Sequence, residues 1–454
     1  MLQNKSLTPT MAPIPEKVKP DTGLVTETDV VIIGGGIIGV SAALALAEGG
    51  IAVVLFEKGE IAAEQSSRNW GWCRQQGRDP REMPLIIESV QMWREMSDRI
   101  GRDVGYRECG ILSLAQSEQE LEKLSAWTEL AREYEVPFDL KSPEEVTKFL
   151  PAADGTWLGG LYTASDGRAE PTLAAPAMIE AAQNYGARVF TNTAVRSIET
   201  TAGSVSGVVT EMGLTQCKSV IVAAGAWTSL FMRNLDIRIP QLKVRSSVFR
   251  TAPLSGGPEA CIYSSGFTVR KRLDGGYTVA LGGRTRIPYD LTPDSFRYLR
   301  EFLRLAWMSR KSLRPRLSDR LTIESRYPSR WSSTETTIFE EERILNPAPI
   351  DSLLNQAKEN ISAAFPMFKQ IRIIERWAGM IDVTPDAVPV ISEVDALPGC
   401  VIATGFSGHG FGIGPAAGEL AAQIAVNQSP LLNPQPFKLS RFQDGTSIEP
   451  IAGV

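Results

Sequence analysis

The chain of 454 residues is long enough for two domains, and 43% hydrophobic with 22% charged residues marks a soluble globular protein. Its net charge of -5 lacks the basic footprint of a nucleic-acid binder. One histidine, His409, excludes a metal site built on several imidazoles, and five scattered cysteines at no ligand or redox spacing leave neither a zinc motif nor a disulfide framework.

Residues 1–28 carry Pro9, Pro13, Pro15 and Pro20 among polar and charged residues, without the apolar run of a signal peptide. A flexible tail on a cytoplasmic chain is expected. Residues 30–47 are free of charge over about the length of a spanning helix. Gly34, Gly35, Gly36 and Gly39 interrupt them, and a nucleotide-binding unit explains the same stretch better. Asp29-Val-Val-Ile-Ile33 reads as a buried strand running into the G-x-G-x-x-G sequence Gly34-Gly-Gly36-Ile37-Ile38-Gly39. A helix through Glu48 and a second strand, 51–56, ending at Glu57 complete the βαβ order. Gly34 permits the tight turn, Gly36 lets backbone approach a pyrophosphate, and Gly39 allows the helix to pack on the strand. The pyrophosphate sits on the helix N-terminus, and Glu57 is placed to accept from ribose hydroxyls.

Three later segments separate FAD from NAD. The polar loop Ala63-Glu-Gln-Ser-Ser-Arg-Asn-Trp-Gly71 follows Glu57 where an NAD dehydrogenase continues its alternation of strands and helices. Ser219-Val-Ile-Val-Ala-Ala-Gly-Ala-Trp227 is a strand ending in Ala224-Gly225. Gly399-Cys-Val-Ile-Ala-Thr-Gly-Phe-Ser-Gly-His-Gly-Phe411 reads as strand then glycine loop, and the helix 415–425 follows.

Together these segments resemble the D-amino-acid oxidase superfamily of flavoproteins, over 29–442. The strings Glu64-Gln-Ser-Ser-Arg68, Trp93-Arg-Glu-Met96, Leu230-Phe-Met-Arg-Asn-Leu235 and Pro436-Phe-Lys-Leu-Ser-Arg-Phe442 are most similar to bacterial L-amino-acid deaminases. The resemblance implies an α/β (α+β) fold: a Rossmann-like FAD-binding domain (29–95, 172–240 and 375–442) and a substrate domain on a mainly antiparallel sheet (96–171 and 241–374). It implies oxidation of an amino-acid C–N bond, giving an imino acid that hydrolyses to a 2-oxo acid and ammonia, with oxygen or a quinone as acceptor. The alternatives are an oxidase or dehydrogenase of secondary amines such as N-methyl amino acids, and the flavoprotein subunit of an electron-transfer complex. The implied cofactor residues are Gly34, Gly36, Ile37, Ile38, Gly39, Glu57, Lys58, Ser66, Ser67, Arg68, Trp70, Gly71, Val195, Ala224, Gly225, Trp227, Gly379, Gly408, His409, Gly410, Phe411 and Gly412.

The departures carry information. Deaminases have an N-terminal membrane anchor where this chain has its Pro-rich tail. Monomeric sarcosine oxidase has a flavin-linking cysteine where this chain has Gly379, and a substrate-binding lysine where it has Gly412. Non-covalent FAD and a carboxylate anchor elsewhere are therefore expected. The alignment of Val269-Arg-Lys-Arg-Leu-Asp-Gly275 places Arg270 at the deaminases' carboxylate arginine. His409, next to the ring, and Gln76 complete the catalytic candidates, with Trp72, Arg74 and Gln75 as further pocket residues.

Within the substrate segments, Leu273-Asp-Gly-Gly-Tyr277 predicts a hairpin turn, and residues 350–365 a helix. Residues 297–320 hold Arg297, Arg300, Arg304, Arg310, Lys311, Arg314, Arg316 and Arg320, with Phe302, Leu303, Ala306 and Trp307 at helical spacing. The readings of that stretch are a solvated face on a packed helix, or a contact with an electron acceptor or with the inner face of the membrane.

Overall fold

The computed structural model describes residues 12–283 and 287–450, so the first eleven residues of the expected tail lie outside it. The described part of the tail is not loose. Val18 is buried, Asp21 N–H donates to the Val189 carbonyl at 2.7 Å, and the Asp21 carboxylate accepts from Val189 N–H at 2.8 Å and Arg188 at 2.7 Å. The tail thereby covers the free edge of a sheet.

That sheet has six strands, in the order Val390–Glu393, Cys400–Thr404, Ser219–Val222, Val30–Ile33, Val53–Phe56, Arg188–Phe190. All pairs are parallel except the first, which is antiparallel. Val30–Ile33 and Val53–Phe56 are buried at every position, as the β-branched runs predict for a sheet covered on both faces. The helix Ile37–Glu48 packs on it beside the C-terminal helix Gly410–Ala425 and the helix Ala174–Asn184. The charge-free run at 30–47 is thus a strand, a turn and a buried helix, and no helix among the described residues is long and apolar enough to cross a membrane.

A second sheet of eight strands, Ile373–Val383 to Leu242–Thr251 and on to Asp139–Lys141, is antiparallel at every pairing but that of Cys261–Tyr263 with Ile111–Ala115. The predicted hairpin joins Thr268–Lys271 to Tyr277–Ala280, with Gly275 at φ +80 making the turn. The predicted helix spans Asp351–Ala364 and buries Leu354, Ala357 and Ile361 against this sheet.

In the basic stretch, the helix Leu299–Met308 turns Phe302 and Leu305 inward, whereas Leu303 and Trp307 face solvent. The grouping of Phe302 with Leu303 and Trp307 read from the sequence is corrected accordingly: only positions three apart, Phe302 and Leu305, reach the core.

Gly39 shows why the first helix can lie on its strand. A Cβ there would stand 2.0 Å from the Gly34 carbonyl oxygen, which is backbone and cannot yield. Gly39→Ala is expected to cost about 2–4 kcal/mol of stability and to yield protein that loses flavin on gel filtration; denaturant titration and the absorbance spectrum check both.

Candidate functional site

A cavity of about 1050 Å³ runs from the nucleotide strand to the C-terminal helix. One small-molecule site usually needs about 300–1000 Å³, so there is room for a dinucleotide with a substrate. Its two ends are built alike. At one end, Gly34, Gly36, Ile37 and Ile38 form the wall at the N-terminus of the helix Ile37–Glu48. At the other, Gly408, His409, Gly410, Phe411 and Gly412 open the helix Gly410–Ala425. The first amide groups of a helix have no intrahelical partners, and the dipole favours negative charge there.

Glu57 closes the first end. Its carboxylate accepts from Gly35 N–H at 2.7 Å and from Gly59 N–H at 2.7 Å. Burial pushes its carboxyl up, against the opposing effects of Lys58 and those two amides. The Ser66 hydroxyl accepts from Ile37 N–H at 2.8 Å, which ties the loop after Glu57 to the helix start. Lys58 donates to Glu64 and to the Glu342 and Arg343 carbonyls, and its ammonium lies 4.6 Å from the Trp227 ring centre. Lys58, Val195, Ala224, Gly225 and Trp227 all face the cavity.

Arg68 and Gly379 also line it. The Arg68 guanidinium donates to the Ala63, Leu345 and Ala378 carbonyls at 3.0–3.1 Å, and a Cβ at Gly379 would meet the Arg68 side chain at 3.3 Å. Gly412 has a different reason for being glycine: a Cβ would approach the Trp72 carbonyl to 2.9 Å. Its own carbonyl accepts from Ser89 at 2.7 Å and the Trp93 indole at 2.9 Å, which fixes the helix start.

Near His409 the wall becomes cationic. Arg74 and Arg78 both face the cavity. Arg78 is 5% exposed; its Nε donates to the Arg74 carbonyl at 3.0 Å, and its Nη1 has no hydrogen-bond partner among the described residues. Burial, then the neighbouring Arg74, bring it down to about 9. Burial also lowers His409, followed by Arg78, so the ring is neutral at pH 7. Its Nδ1 lies 3.1–3.2 Å from both Glu82 carboxylate oxygens. That pairing puts the proton on Nδ1 and leaves Nε2 an acceptor. Burial raises the Glu82 carboxyl, but His409, Arg78 and Arg74 outweigh it and hold it below its ordinary range.

Four expected cofactor or catalytic residues lie off the cavity wall: Gly39, Ser67, Gly71 and Arg270. Gly39 and Gly71 serve close packing, and Ser67 holds the loop turn through its backbone N–H to Ala62. Arg270 needs correction as the carboxylate anchor. It is 1% exposed and donates to Glu170 at 3.0 and 3.3 Å, to the Ala169 carbonyl at 3.0 Å and to Thr278 at 3.3 Å. With its Nη groups held by Glu170 and its side chain off the cavity wall, Arg270 is placed as a structural ion pair. Gln76 lines the cavity, yet its amide is held by the Leu161 carbonyl, Thr163 and Ser113. Gln75 is turned to Asp166 and Ser165, while Trp70 and Trp72 stand edge to face at 5.2 Å and both line the cavity. Arg78, Glu82 and Asp166 were not singled out from sequence. The only local signal was Arg78 four residues after Arg74.

Asp166 is fully buried, accepts from the Gln75 and Gln76 amides, and is pushed up to about 6 by burial. The folded chain therefore holds a proton between pH 4 and 6 that the unfolded chain has released. Relative to Asp166→Asn, which does not titrate, the wild type should lose stability as pH rises through that window, by about 1.4 kcal/mol per unit, and run parallel outside it; paired thermal melts from pH 4 to 7.5 check this.

The comparisons agree with this geometry. Residues 29–424 match the family described as FAD dependent oxidoreductase. The fold is similar to L-amino acid deaminase from Proteus myxofaciens, with TM-score 0.90 and 32% identity over 96% of this chain and 98% of that one. The Proteus vulgaris L-amino acid deaminase gives 0.89 and 31%, over 94% and 100%. In sequence, a glycine oxidase of Geobacillus kaustophilus is 23% identical over 93% of this chain and 99% of the relative. With a family match across most of its length and a cavity walled by two helix N-termini, the chain belongs to the FAD-dependent oxidoreductases that act on amino acids and amines.

Proposed function

We propose that this chain deaminates an amino acid: the C–N bond is oxidised to an imino acid, which hydrolyses to a 2-oxo acid and ammonia. The observation that carries the reading is the buried Arg78 guanidinium on the wall beside His409, whose Nε donates to the Arg74 carbonyl while its Nη1 has no hydrogen-bond partner among the described residues. An uncompensated buried charge is costly, and a carboxylate-bearing substrate supplies its missing partner. Full-length similarity to the Proteus deaminases supports the same chemistry.

Bound FAD would supply the ring that takes a hydride from the carbon beside nitrogen. The glycine-walled helix starts and Glu57 would hold its pyrophosphate and ribose. None of the five cysteines lines the cavity, which favours non-covalent attachment. Arg78 and Arg74 would hold the substrate carboxylate so that its α-carbon faces the ring. His409, with Glu82 fixing its Nδ1 proton, offers Nε2 to accept a proton from the substrate amine. In this reading residues 29–95, 172–240 and 375–442 hold the flavin, and 96–171 and 241–374 shape the substrate side. Oxygen or a quinone takes the electrons.

The stretch 293–308 adds a surface. Phe296, Leu299, Leu303, Trp307 and Met308 are each more than half exposed, beside exposed Arg300, Arg304 and Arg310. Peripheral contact with an anionic membrane suits this mixture of apolar and cationic side chains.

Anaerobic addition of the right amino acid should bleach the flavin spectrum and, on turnover, release ammonia. Formaldehyde release would assign the chain to N-methyl substrates, and readmitted air restores the colour quickly only in an oxidase. Arg78→Met should raise KM by about 10- to 100-fold while the flavin content stays unchanged; an unchanged KM removes Arg78 from the site. The wild type should sediment with phosphatidylglycerol vesicles, and Leu303→Asp combined with Trp307→Asp should abolish this without altering kcat.

A further inference from the structure

Cys109 and Cys261 are 152 residues apart in sequence, yet their Sγ atoms lie 3.9 Å apart. Strand pairing brings them together. Cys261–Tyr263 runs parallel to Ile111–Ala115, and Cys261 N–H donates to the Gly110 carbonyl at 3.0 Å. Gly110, at φ +71, turns Cys109 back toward that junction, and a Cβ there would strike the Tyr162 ring at 2.3 Å. Cys261 is fully buried, whereas Cys109 is half-buried. Cys109 is therefore the member of the pair nearer to solvent.

The surroundings favour a thiolate on the accessible side. A hydrogen bond from the Cys261 thiol lowers Cys109 to about 7, burial opposing it and Arg168 and Arg270 reinforcing it. Burial pushes Cys261 well up, so it keeps its proton to donate. Neither sulfur lines the cavity, but both pack with Trp72 and Tyr263, whose side chains do.

We propose that Cys109 and Cys261 form a reversible modification site at which a small hydroperoxide closes a disulfide. The Cys109 thiolate attacks one oxygen of hydrogen peroxide; the O–O bond breaks, and the departing hydroxide takes up a proton as water. Cys109 then carries a sulfenic hydroxyl. The Cys261 sulfur displaces it: the S–S bond forms, the S–O bond breaks, and the Cys261 proton leaves with the hydroxyl as a second water. Two thiols thus give up two electrons and one peroxide is reduced. Closure needs the sulfurs to move from 3.9 Å to about 2.05 Å.

The test treats the holoprotein with a slight excess of hydrogen peroxide, removes the peroxide with catalase, then denatures, alkylates and maps the peptides. The expected result is a Cys109–Cys261 linked peptide, a chain lighter by two hydrogens, and recovery of both thiols after dithiothreitol. Cys109→Ser should leave Cys261 fully alkylated under the same exposure, and Cys261→Ser should trap the sulfenic acid on Cys109 for capture by dimedone. Cys109 oxidised to sulfinic acid in the wild type without a linked peptide would overturn the proposal. So would Cys261 loss at an equal rate in Cys109→Ser, or two thiols that survive the peroxide intact.

Discussion

The site depends on how closely two helices approach. A Cβ at Gly418 would stand 2.4 Å from the Ser41 Cβ and 2.7 Å from the Ile38 carbonyl, and one at Gly414 would meet Ile37 at 2.7 Å. The C-terminal helix can therefore lie directly on the first helix, although their sequences are nearly the length of the chain apart. Because both helices rise from carboxyl ends of the same parallel sheet, this contact brings both N-termini to one cavity. Larger residues at 414 and 418 would separate the two starts, and each alone is an ordinary helix end.

The second constraint is electrostatic. At the His409 end, the buried Arg78, the half-buried Arg74 and the neutral His409 lie close to two buried carboxylates, Glu82 and Asp166. The Glu82 carboxylate is held directly by His409, so Arg78 feels it and Asp166 only at longer range. Elsewhere the buried arginines stand in direct ion pairs, Arg270 with Glu170 at 3.0 Å and Arg441 with Asp386 at 3.0 Å, whereas Arg78 Nη1 has no hydrogen-bond partner among the described residues. The contrast separates a structural cation from one facing a ligand. It does so by partner, since burial alone would have selected Arg270.

That is also where the sequence stopped being legible. The βαβ unit could be read because its parts are contiguous: strand, glycines, helix and acid fall within 29–57, and each glycine is demanded by a neighbour a few residues away. The hairpin at Gly275 and the helix Asp351–Ala364 are local in the same way. The pairing of Arg270 could not be read because Glu170, its partner, lies 100 residues upstream, and no periodicity reports a contact of that kind. Cys109 and Cys261 looked scattered for the same reason. At Gly412 the departure from a lysine was visible, but its cause, the Trp72 carbonyl, is a contact between segments. Local pattern reveals which backbone can form; whether a charge is spent on the fold or left for a ligand is decided by long-range pairing.

The basic segment after the eight-stranded sheet extends this argument. Its apolar core is small, centred on Tyr289, Tyr298, Phe302 and Leu305. What fixes it to the rest of the chain is a set of shielded ion pairs: Arg233–Asp294 at 2.6 Å, Lys243–Glu324 at 2.7 Å and Arg245–Asp290 at 2.9 Å. Such pairs contribute little net stability once desolvation is counted, but they define orientation, because a slipped pair strands a buried charge. Arg245 also lines the cavity. The lobe that exposes Leu303 and Trp307 is thus joined to the cavity wall through one guanidinium, and any force that displaces the lobe must either carry Arg245 with it or part it from Asp290, which keeps Arg316 as its partner within the lobe.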